Sequence, residues 1–147
     1  MKIFLGTDHN GYQYKQELLN YLRLSEHEVV DVNHVLDPND DFPQFASRVC
    51  NAMLQEDPET SRGILICGSG QGMVMAANRF KRIRASLCFS PEEARAARND
   101  DNSNILCLAA NFTDNEEAKR IVNIFLLTPF AKAPRFVRRL KELDELN

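Results

Sequence analysis

The sequence predicts an α/β fold, an open and doubly wound parallel sheet of five strands with helices on both faces. Short apolar segments alternate strictly with amphipathic segments of helical length along the chain. The apolar segments lack the polar alternation of a half-exposed strand, which is typical of parallel strands buried on both faces. A closed eight-stranded barrel needs about 250 residues, whereas the 147 residues here suffice for a single domain, residues 1–147.

The first half of the chain supplies two strands and two helices. KIFLGT, residues 2–7, is a strand candidate, and EVVDV, residues 28–32, is the second. Residues 12–24 between them form a helix, since apolar side chains recur at helical spacing on one face, namely Tyr14, Leu18, Tyr21 and Leu22. After the loop DPNDDFP the same spacing predicts a second helix through Phe45, Val49, Ala52 and Met53.

The second half supplies three more strands and four helices. The strand candidates are GILIC, RASLCF and NILCL, residues 63–67, 84–89 and 104–108. A helix over roughly residues 72–80 follows the first of them. Ser90 starts the next helix, because serine is a favoured N-cap, proline fits the first turn, and two glutamates complement the helix dipole. Asp114 caps a helix with an apolar face, and a charged C-terminal helix runs from about Pro134 to Leu146.

Composition and charge exclude several classes of protein. The hydrophobic fraction of 44% is that of a globular protein, and a net charge of −3 disfavours non-specific nucleic-acid binding. No apolar run approaches the ~20 residues of a membrane span, and the start of the chain has no signal-peptide pattern. We therefore expect a cytoplasmic protein without membrane or nucleic-acid partners. The four cysteines form no CxxC pair and the three histidines lack ligand spacing, which favours reduced, buried cysteines and no metal site.

Polar residues and glycines follow the first and the third predicted strands, in GTDHNG (6–11) and CGSGQG (67–72). In open parallel sheets, ligands bind beyond the carboxyl ends of the strands, at the point where the strand order reverses. In a flavodoxin-like order that point lies between strands one and three. The sequence therefore predicts a ligand site where these two segments meet.

The loop at residues 68–72 joins a strand to a helix and is rich in glycine. Its backbone N–H groups can hold an anion, assisted by the helix dipole. It is not a P-loop, because no Gly-Lys-Ser/Thr follows, and Met73 stands where the dinucleotide fingerprint needs a glycine. Taken alone, such a loop is equally consistent with a turn that only needs tight geometry.

Three further features have a structural interpretation beside a functional one. Cys67 fits a buried core cysteine, or a thiol activated at a helix N-terminus as base or nucleophile. Asp8 and His9 fit a helix cap, or a pair that binds a phosphate. Arg135 and Arg139 fit a solvated helix face, or a clamp on one oxyanion, because residues four apart point the same way. Together these features suggest a small phosphorylated ligand that undergoes proton transfer.

The segments that carry these residues resemble the ribose-5-phosphate isomerase B/galactose-6-phosphate isomerase family. The resemblance covers essentially the whole chain, through GTDHNGYQYK, DDFPQFA, GILICGSGQGMVMAANRFKRIRASLC, NILCL and PRFVRRL, of which the third block is highly specific. It implies a Rossmann-like homodimer, often paired into tetramers, with each site built across the dimer interface. It also implies aldose–ketose isomerisation of a sugar phosphate through a cis-enediolate, without metal or cofactor.

The resemblance also assigns roles to individual residues. Cys67 matches the catalytic base that moves a proton between C1 and C2, whereas some members use a glutamate at the position of Met73. The loop that holds the developing enediolate, an oxyanion hole, is matched by Ser69 and the N–H groups of Gly68, Gly70 and Gly72. The substrate ligands are matched by Asp8 for a hydroxyl and by His9, Arg135 and Arg139 for the phosphate.

The chain departs from the family where a cyclic substrate is bound and opened. The family usually has His-Asn just before strand five, where the histidine helps to open the sugar ring and the asparagine contacts the enediolate. Here Asp100 takes the catalytic place and Asp101 the substrate-binding one. Three further family residues, a tyrosine, a histidine and an arginine, are replaced by Phe42, Phe136 and Asn111.

The expected function is therefore aldose–ketose isomerisation, with ribose 5-phosphate and ribulose 5-phosphate as the first choice of substrate and product. One alternative is the same chemistry on another sugar phosphate, a tetrose, a hexose or an open-chain form. Another is a non-catalytic paralogue that binds a phosphosugar. The retained Cys67 and glycine loop favour an enzyme, and the missing ring-opening histidine favours the alternatives in part. We expect a homodimer or a homotetramer.

Overall fold

A computed structural model describes residues 1–146, in which five parallel strands form one sheet. The strands are β1 (Lys2–Thr7), β2 (Glu28–Asp31), β3 (Ser61–Cys67), β4 (Ala85–Leu87) and β5 (Ile105–Ala109). They lie in the order β2-β1-β3-β5-β4, and every neighbouring pair is parallel. The predicted fold class is confirmed.

Helices cover both faces of this sheet. They are α1 (Tyr12–Leu24), α2 (Phe42–Met53), α3 (Gln71–Ala77), α4 (Pro91–Asp101), α5 (Asn115–Leu127) and α6 (Pro134–Asp144). α1, α4 and α5 pack with Ile64 and Ile66 on one face of β3, whereas α2 and α3 pack with Leu65 and Cys67 on the other. Successive side chains of a strand point to opposite faces, so an unbroken apolar run serves both cores. Within residues 1–146, no helix combines the length and the apolar character needed to cross a membrane.

The predicted helix starts at Ser90 and Asp114 are confirmed by their capping bonds. The Glu93 N–H donates to Ser90 Oγ (3.2 Å), and the Ser90 N–H donates to the Glu93 carboxylate (3.0 Å), which together form a capping box. Asp114 Oδ1 accepts the Glu117 N–H at 2.8 Å. Each bond satisfies a backbone donor that has no partner inside its own helix.

The order of the last two strands differs from the flavodoxin-like order, in which strand four would neighbour strand three. β5 is buried along its whole length and lies between β3 and β4. β4 has only three residues, all partly exposed, and forms the edge. A strand that is apolar on both faces gains most from an interior position. The reversal of strand order between β1 and β3 is unaffected, because α1 follows β1 on one face of the sheet and α3 follows β3 on the other.

Candidate active site

The segments that follow β1 and β3 meet at the carboxyl edge of the sheet. The Thr7 hydroxyl donates to the Ile66 carbonyl at 2.9 Å, and the Asp8 N–H donates to the same carbonyl at 3.3 Å. A side chain at Gly11 would collide with Thr7 Oγ1 and with the Ile66 side chain, so the chain can turn back this tightly only with glycine. The predicted meeting of GTDHNG and CGSGQG is confirmed.

Each glycine of the loop after β3 has a structural requirement. Gly70 adopts a left-handed conformation (φ +75°), where a side chain would also collide with Leu87. A Cβ at Gly72 would lie 2.7 Å from the Phe42 ring, and one at Gly68 would lie 2.8 Å from Asn111 Nδ2. The packing around the loop therefore requires bare backbone at these three positions.

Cys67 ends β3 beneath this loop and is 5% exposed. Its Sγ accepts the Gly70 N–H at 3.1 Å, a contact that stabilises negative charge on the sulfur. The other three cysteines are also free and buried, as predicted for Cys88 and Cys107. Burial raises the pKa of Cys50 and of Cys88 to about 12 and raises that of Cys107 well above its ordinary value. Those three thiols are unsuited to act as bases near neutral pH.

Ser69 lies beside Cys67, partly exposed, and its Oγ accepts the Gln71 N–H at 3.3 Å. The chain after β5 holds the loop from the other side, because the Ala110 N–H donates to the Cys67 carbonyl and the Asn111 N–H donates to the Gly68 carbonyl, both at 2.9 Å. The loop is therefore fixed at its base, which is what an oxyanion hole requires of its donors.

Asp8 and His9 lie opposite the loop and are held by different partners. Asp8 is buried, and its Oδ1 accepts the Asn10 N–H at 3.0 Å. Burial raises the pKa of Asp8 above its ordinary value. The Asp40 carboxylate accepts the His9 N–H at 2.9 Å and lies 2.8 Å from His9 Nδ1. This hydrogen bond to Asp40 raises the pKa of His9 above its ordinary value.

Sequence reasoning missed Asp40, which lies in the loop DPNDDFP. Its carboxylate is buried, although the residue stands among exposed neighbours in the same loop. The only signal was a run of acidic residues before a helix, which also fits an ordinary solvated loop. The contact with His9 joins residues 31 positions apart and depends on the folded topology.

A buried ion pair between Lys15 and Asp31 is connected through Asn33 to the end of β1. Lys15 is fully buried, and its Nζ lies 2.9 Å from each oxygen of the Asp31 carboxylate. Lys15 also donates to the Asn33 carbonyl, and the Asn33 side chain bonds both the N–H (3.3 Å) and the carbonyl (3.0 Å) of Thr7. A buried charge is tolerated when it is paired and hydrogen-bonded in this way. The arrangement fixes the backbone from which Asp8 and His9 project.

The remaining predicted site residues lie at the opposite, amino-terminal edge of the sheet. Asp100 and Asp101 end α4 just before β5, whose first residue pairs with Gly63 near the start of β3. α6 lies along the same edge, since the Ala131 N–H donates to the Asn99 carbonyl (3.1 Å) before the helix and Asp144 contacts Arg84 (3.6 Å) at its end. Arg135 and Arg139 are exposed on α6, and they lie at the opposite edge of the sheet from Cys67.

One chain thus assembles only part of the predicted site. The carboxyl edge carries the residues predicted as base, oxyanion loop and two substrate ligands, namely Asp8, His9, Cys67, Gly68, Ser69, Gly70 and Gly72. The amino edge carries Asp100, Asp101, Arg135 and Arg139. The seven residues of β3 separate the two edges by about 20 Å at the usual rise of a strand. Residues 1–146 hold no cluster of three potential metal ligands.

Comparisons with known proteins identify relatives across the whole length of the chain. The family model described as Ribose/Galactose Isomerase matches residues 3–143. The probable ribose-5-phosphate isomerase B of Mycoplasma genitalium is 37% identical over 142 residues, which cover 96% of this chain and 92% of the relative. The ribose-5-phosphate isomerase B of Mycolicibacterium paratuberculosis is 36% identical over 146 residues, covering 99% and 91%.

Solved structures of ribose 5-phosphate isomerases superpose on nearly the whole length of this chain. A crystal structure of the Thermotoga maritima ribose 5-phosphate isomerase superposes with a TM-score of 0.93 at 40% identity and covers 99% of this chain and 98% of that one. The Mycoplasma genitalium enzyme with bound ribulose 5-phosphate superposes with a TM-score of 0.92 at 37% identity, covering 97% and 93%.

Proposed function

This chain belongs to the ribose/galactose isomerase family, and we propose that it interconverts ribose 5-phosphate and ribulose 5-phosphate, with Cys67 moving the proton. It is an aldose–ketose sugar-phosphate isomerase. The observation that carries the proposed role of Cys67 is the bond from the Gly70 N–H to its sulfur, within a glycine loop that faces Asp8 and His9.

The proposed reaction moves one proton between adjacent carbons. The Cys67 thiolate removes the proton from C2 of the open-chain aldose, and the electron pair forms a double bond between C1 and C2 while the C1 oxygen becomes negative. Backbone N–H groups of the loop at residues 68–72 stabilise that enediolate oxygen. The thiol then returns its proton to C1, and the hydroxyl proton on O2 moves to O1, which gives the ketose.

We also propose that two chains share each site. The carboxyl edge of one chain supplies the base and the oxyanion loop, and the amino edge of a second chain supplies Asp100, Asp101, Arg135 and Arg139. The separation of the two edges supports this, because α6 lies at the amino edge of the sheet and Cys67 of the same chain lies at the carboxyl edge. A symmetric dimer with a two-fold axis would form two such sites from the same pair of surfaces.

Proton exchange tests the proposed function directly. Ribose 5-phosphate incubated with the protein in deuterium oxide should yield ribulose 5-phosphate with deuterium at C1, and the recovered ribose 5-phosphate should carry deuterium at C2. A panel of tetrose, pentose and hexose phosphates measured in the same way ranks the substrates. Binding of these sugars without conversion or exchange would replace the isomerase with a phosphosugar-binding protein.

Asp100→His should raise the kcat for ribose 5-phosphate. Ring opening needs a proton donated to the ring oxygen, and histidine donates near neutrality, whereas a carboxylate is ordinarily ionised and donates poorly. A tetrose 4-phosphate cannot close a stable ring, so its kcat should stay unchanged. The measurement is the ratio of the two kcat values in the wild type and the variant. An efficient wild type with no gain from the histidine would show that Asp100 does not limit ring opening.

Asp40→Asn should move the alkaline loss of substrate affinity to lower pH. The hydrogen bond to Asp40 raises the pKa of His9, so cationic His9 persists to higher pH and phosphate binding weakens only as the pH rises through that elevated value. The asparagine removes the charge and lets the pKa of His9 fall toward its ordinary value. KM measured against pH reports the shift.

The matched control for this change is Asp41→Asn. Asp41 is exposed, adjoins Asp40 in the same loop, and makes no side-chain cap to α2. At alkaline pH, the KM of the Asp41→Asn variant should rise over the same pH range as the KM of the wild type. If Asp40→Asn also left the alkaline rise in KM at the same pH, His9 would not be the group whose charge binds the phosphate.

A further inference from the structure

A second pocket lies at the amino edge of the sheet, on the face covered by α1, α4 and α5. Its volume is about 460 Å³, and it is lined by residues from the start of β3, the end of α4 and the segment after α5. The lining includes three basic side chains, Arg62, Arg98 and Lys132, and one acidic side chain, Glu59. Neither Arg135 nor Arg139 lines this pocket.

Two of these basic side chains are buried, Arg62 at 5% exposure and Arg98 at 2%. Within residues 1–146, neither forms an ion pair with a carboxylate. Arg98 donates to the carbonyls of Thr128 (3.2 Å) and Ser103 (2.6 Å) and to Asn102 Oδ1 (2.8 Å). All of its acceptors are neutral.

Arg62 is less completely bonded than Arg98. Its Nη1 donates to the carbonyls of Pro58 (2.8 Å) and Ser61 (2.6 Å), while its Nε is buried without a partner. A buried donor left unbonded carries a desolvation cost. The two buried guanidinium groups thus have only neutral acceptors, and one N–H donor has no acceptor at all. A bound anion would supply both the missing acceptor and the missing negative charge.

The electrostatics agree with this interpretation. Burial, together with the charges of Arg62 and Arg84, lowers the pKa of Arg98 to about 10, while Glu59 opposes them. Burial also lowers the pKa of Arg62, again with Glu59 opposing and Arg84 adding to the effect. Lys132 adds a third positive charge at the exposed mouth. The pocket therefore has an excess of positive charge that its single carboxylate does not balance.

We propose that this pocket binds phosphate, either as the free ion or as the phosphate group of a small organic ester. Guanidinium groups present several N–H donors in a plane that matches phosphate oxygens, and Lys132 supplies a mobile charge at the entrance. The volume exceeds that of one phosphate and falls in the range of small-molecule sites. Leu127, Pro129 and Phe130 provide an apolar wall for the body of an ester.

The test uses the full chain carrying Arg135→Ala and Arg139→Ala, which removes the proposed clamp of the isomerase site. Inorganic phosphate titrated calorimetrically should bind this double variant at one site per chain. Adding Lys132→Ala should weaken that binding about tenfold, and adding Arg62→Gln should weaken it up to a hundredfold, since each removes a charged donor. Lys132 is exposed, so its variant should fold even if the buried substitution does not.

Lys119→Ala is the control, because Lys119 pairs with Glu116 near the start of α5 and does not line the pocket. It should leave phosphate binding unchanged. Phenyl phosphate distinguishes the two sources: binding tighter than that of phosphate indicates an organic ester, and equal binding indicates the free ion. The proposal is overturned if the double variant binds no phosphate, or if its affinity is the same with Lys132→Ala and Arg62→Gln. Neither result depends on whether the chain isomerises ribose 5-phosphate.

Discussion

Cys67→Ala is expected to lower kcat for ribose 5-phosphate by about 10²–10⁴-fold, the usual contribution of a positioned acid–base group. Deuterium exchange at C2 should fall by the same factor, because the alanine leaves nothing to accept the proton. KM should change little, since the phosphate and hydroxyl ligands remain. Steady-state kinetics and exchange monitored by NMR give the two numbers.

The matched control is Cys107→Ala. Cys107 lies on β5 beside Leu65 and faces the same core as Cys67, fully buried. Both substitutions remove one sulfur from that core and should cost about 1 kcal/mol of unfolding free energy. Only Cys67→Ala should lose activity. Near-wild-type turnover in Cys67→Ala would place the base elsewhere, with Asp8 the first candidate because burial raises its pKa.

The fold could be predicted from the sequence because its signals are local. Apolar runs located all five strands to within a few residues, and helical spacing placed α1 at its observed bounds. Ser90 and Asp114 indicated the starts of their helices, because an N-cap side chain bonds the backbone N–H only three residues later. The insertion of β5 between β3 and β4 carries no local signal, because it depends on which strand buries more apolar surface in the finished sheet.

The meeting of the two strand-end segments could be predicted from the sequence, but the buried side-chain pairs that hold them could not. Strand ends in a parallel sheet converge, so GTDHNG and CGSGQG could be expected to meet. The buried pairs His9–Asp40 and Lys15–Asp31 join segments distant in sequence, and no spacing rule indicates them. The resemblance to the family implied a site shared across a dimer. That shared site stays a proposal, and the topology supports it because residues before β5 and residues after β3 lie at opposite edges of the sheet.

Replacing both Arg135 and Arg139 by alanine is the second change expected to have a large effect. Each guanidinium is proposed to make charge-assisted bonds to the substrate phosphate, and losing one such contact costs about tenfold to a hundredfold in affinity. We expect kcat/KM to fall a hundredfold or more. KM should rise most, and kcat should fall as well, because phosphate binding also positions C1 and C2 beside the base.

Arg138→Ala is the control on the same helix. Arg138 is exposed and lies 3.9 Å from Glu142, in an ordinary surface ion pair worth little stability. Its kinetics should match the wild type. Equal activity of the Arg135→Ala/Arg139→Ala variant on ribose 5-phosphate would show that the two arginines belong to a solvated face and bind no phosphate.

Mixing inactive variants determines which chain contributes the arginines. If each site takes Cys67 from one chain and the clamp from its partner, a mixed dimer of Cys67→Ala with Arg135→Ala/Arg139→Ala has one doubly defective site and one intact site. Unfolding and refolding an equimolar mixture should then restore about a quarter of the wild-type activity, because half of the dimers are mixed and each has one working site of two. If Cys67 and the clamp came from the same chain, every site would carry one defect and the mixture would stay inactive.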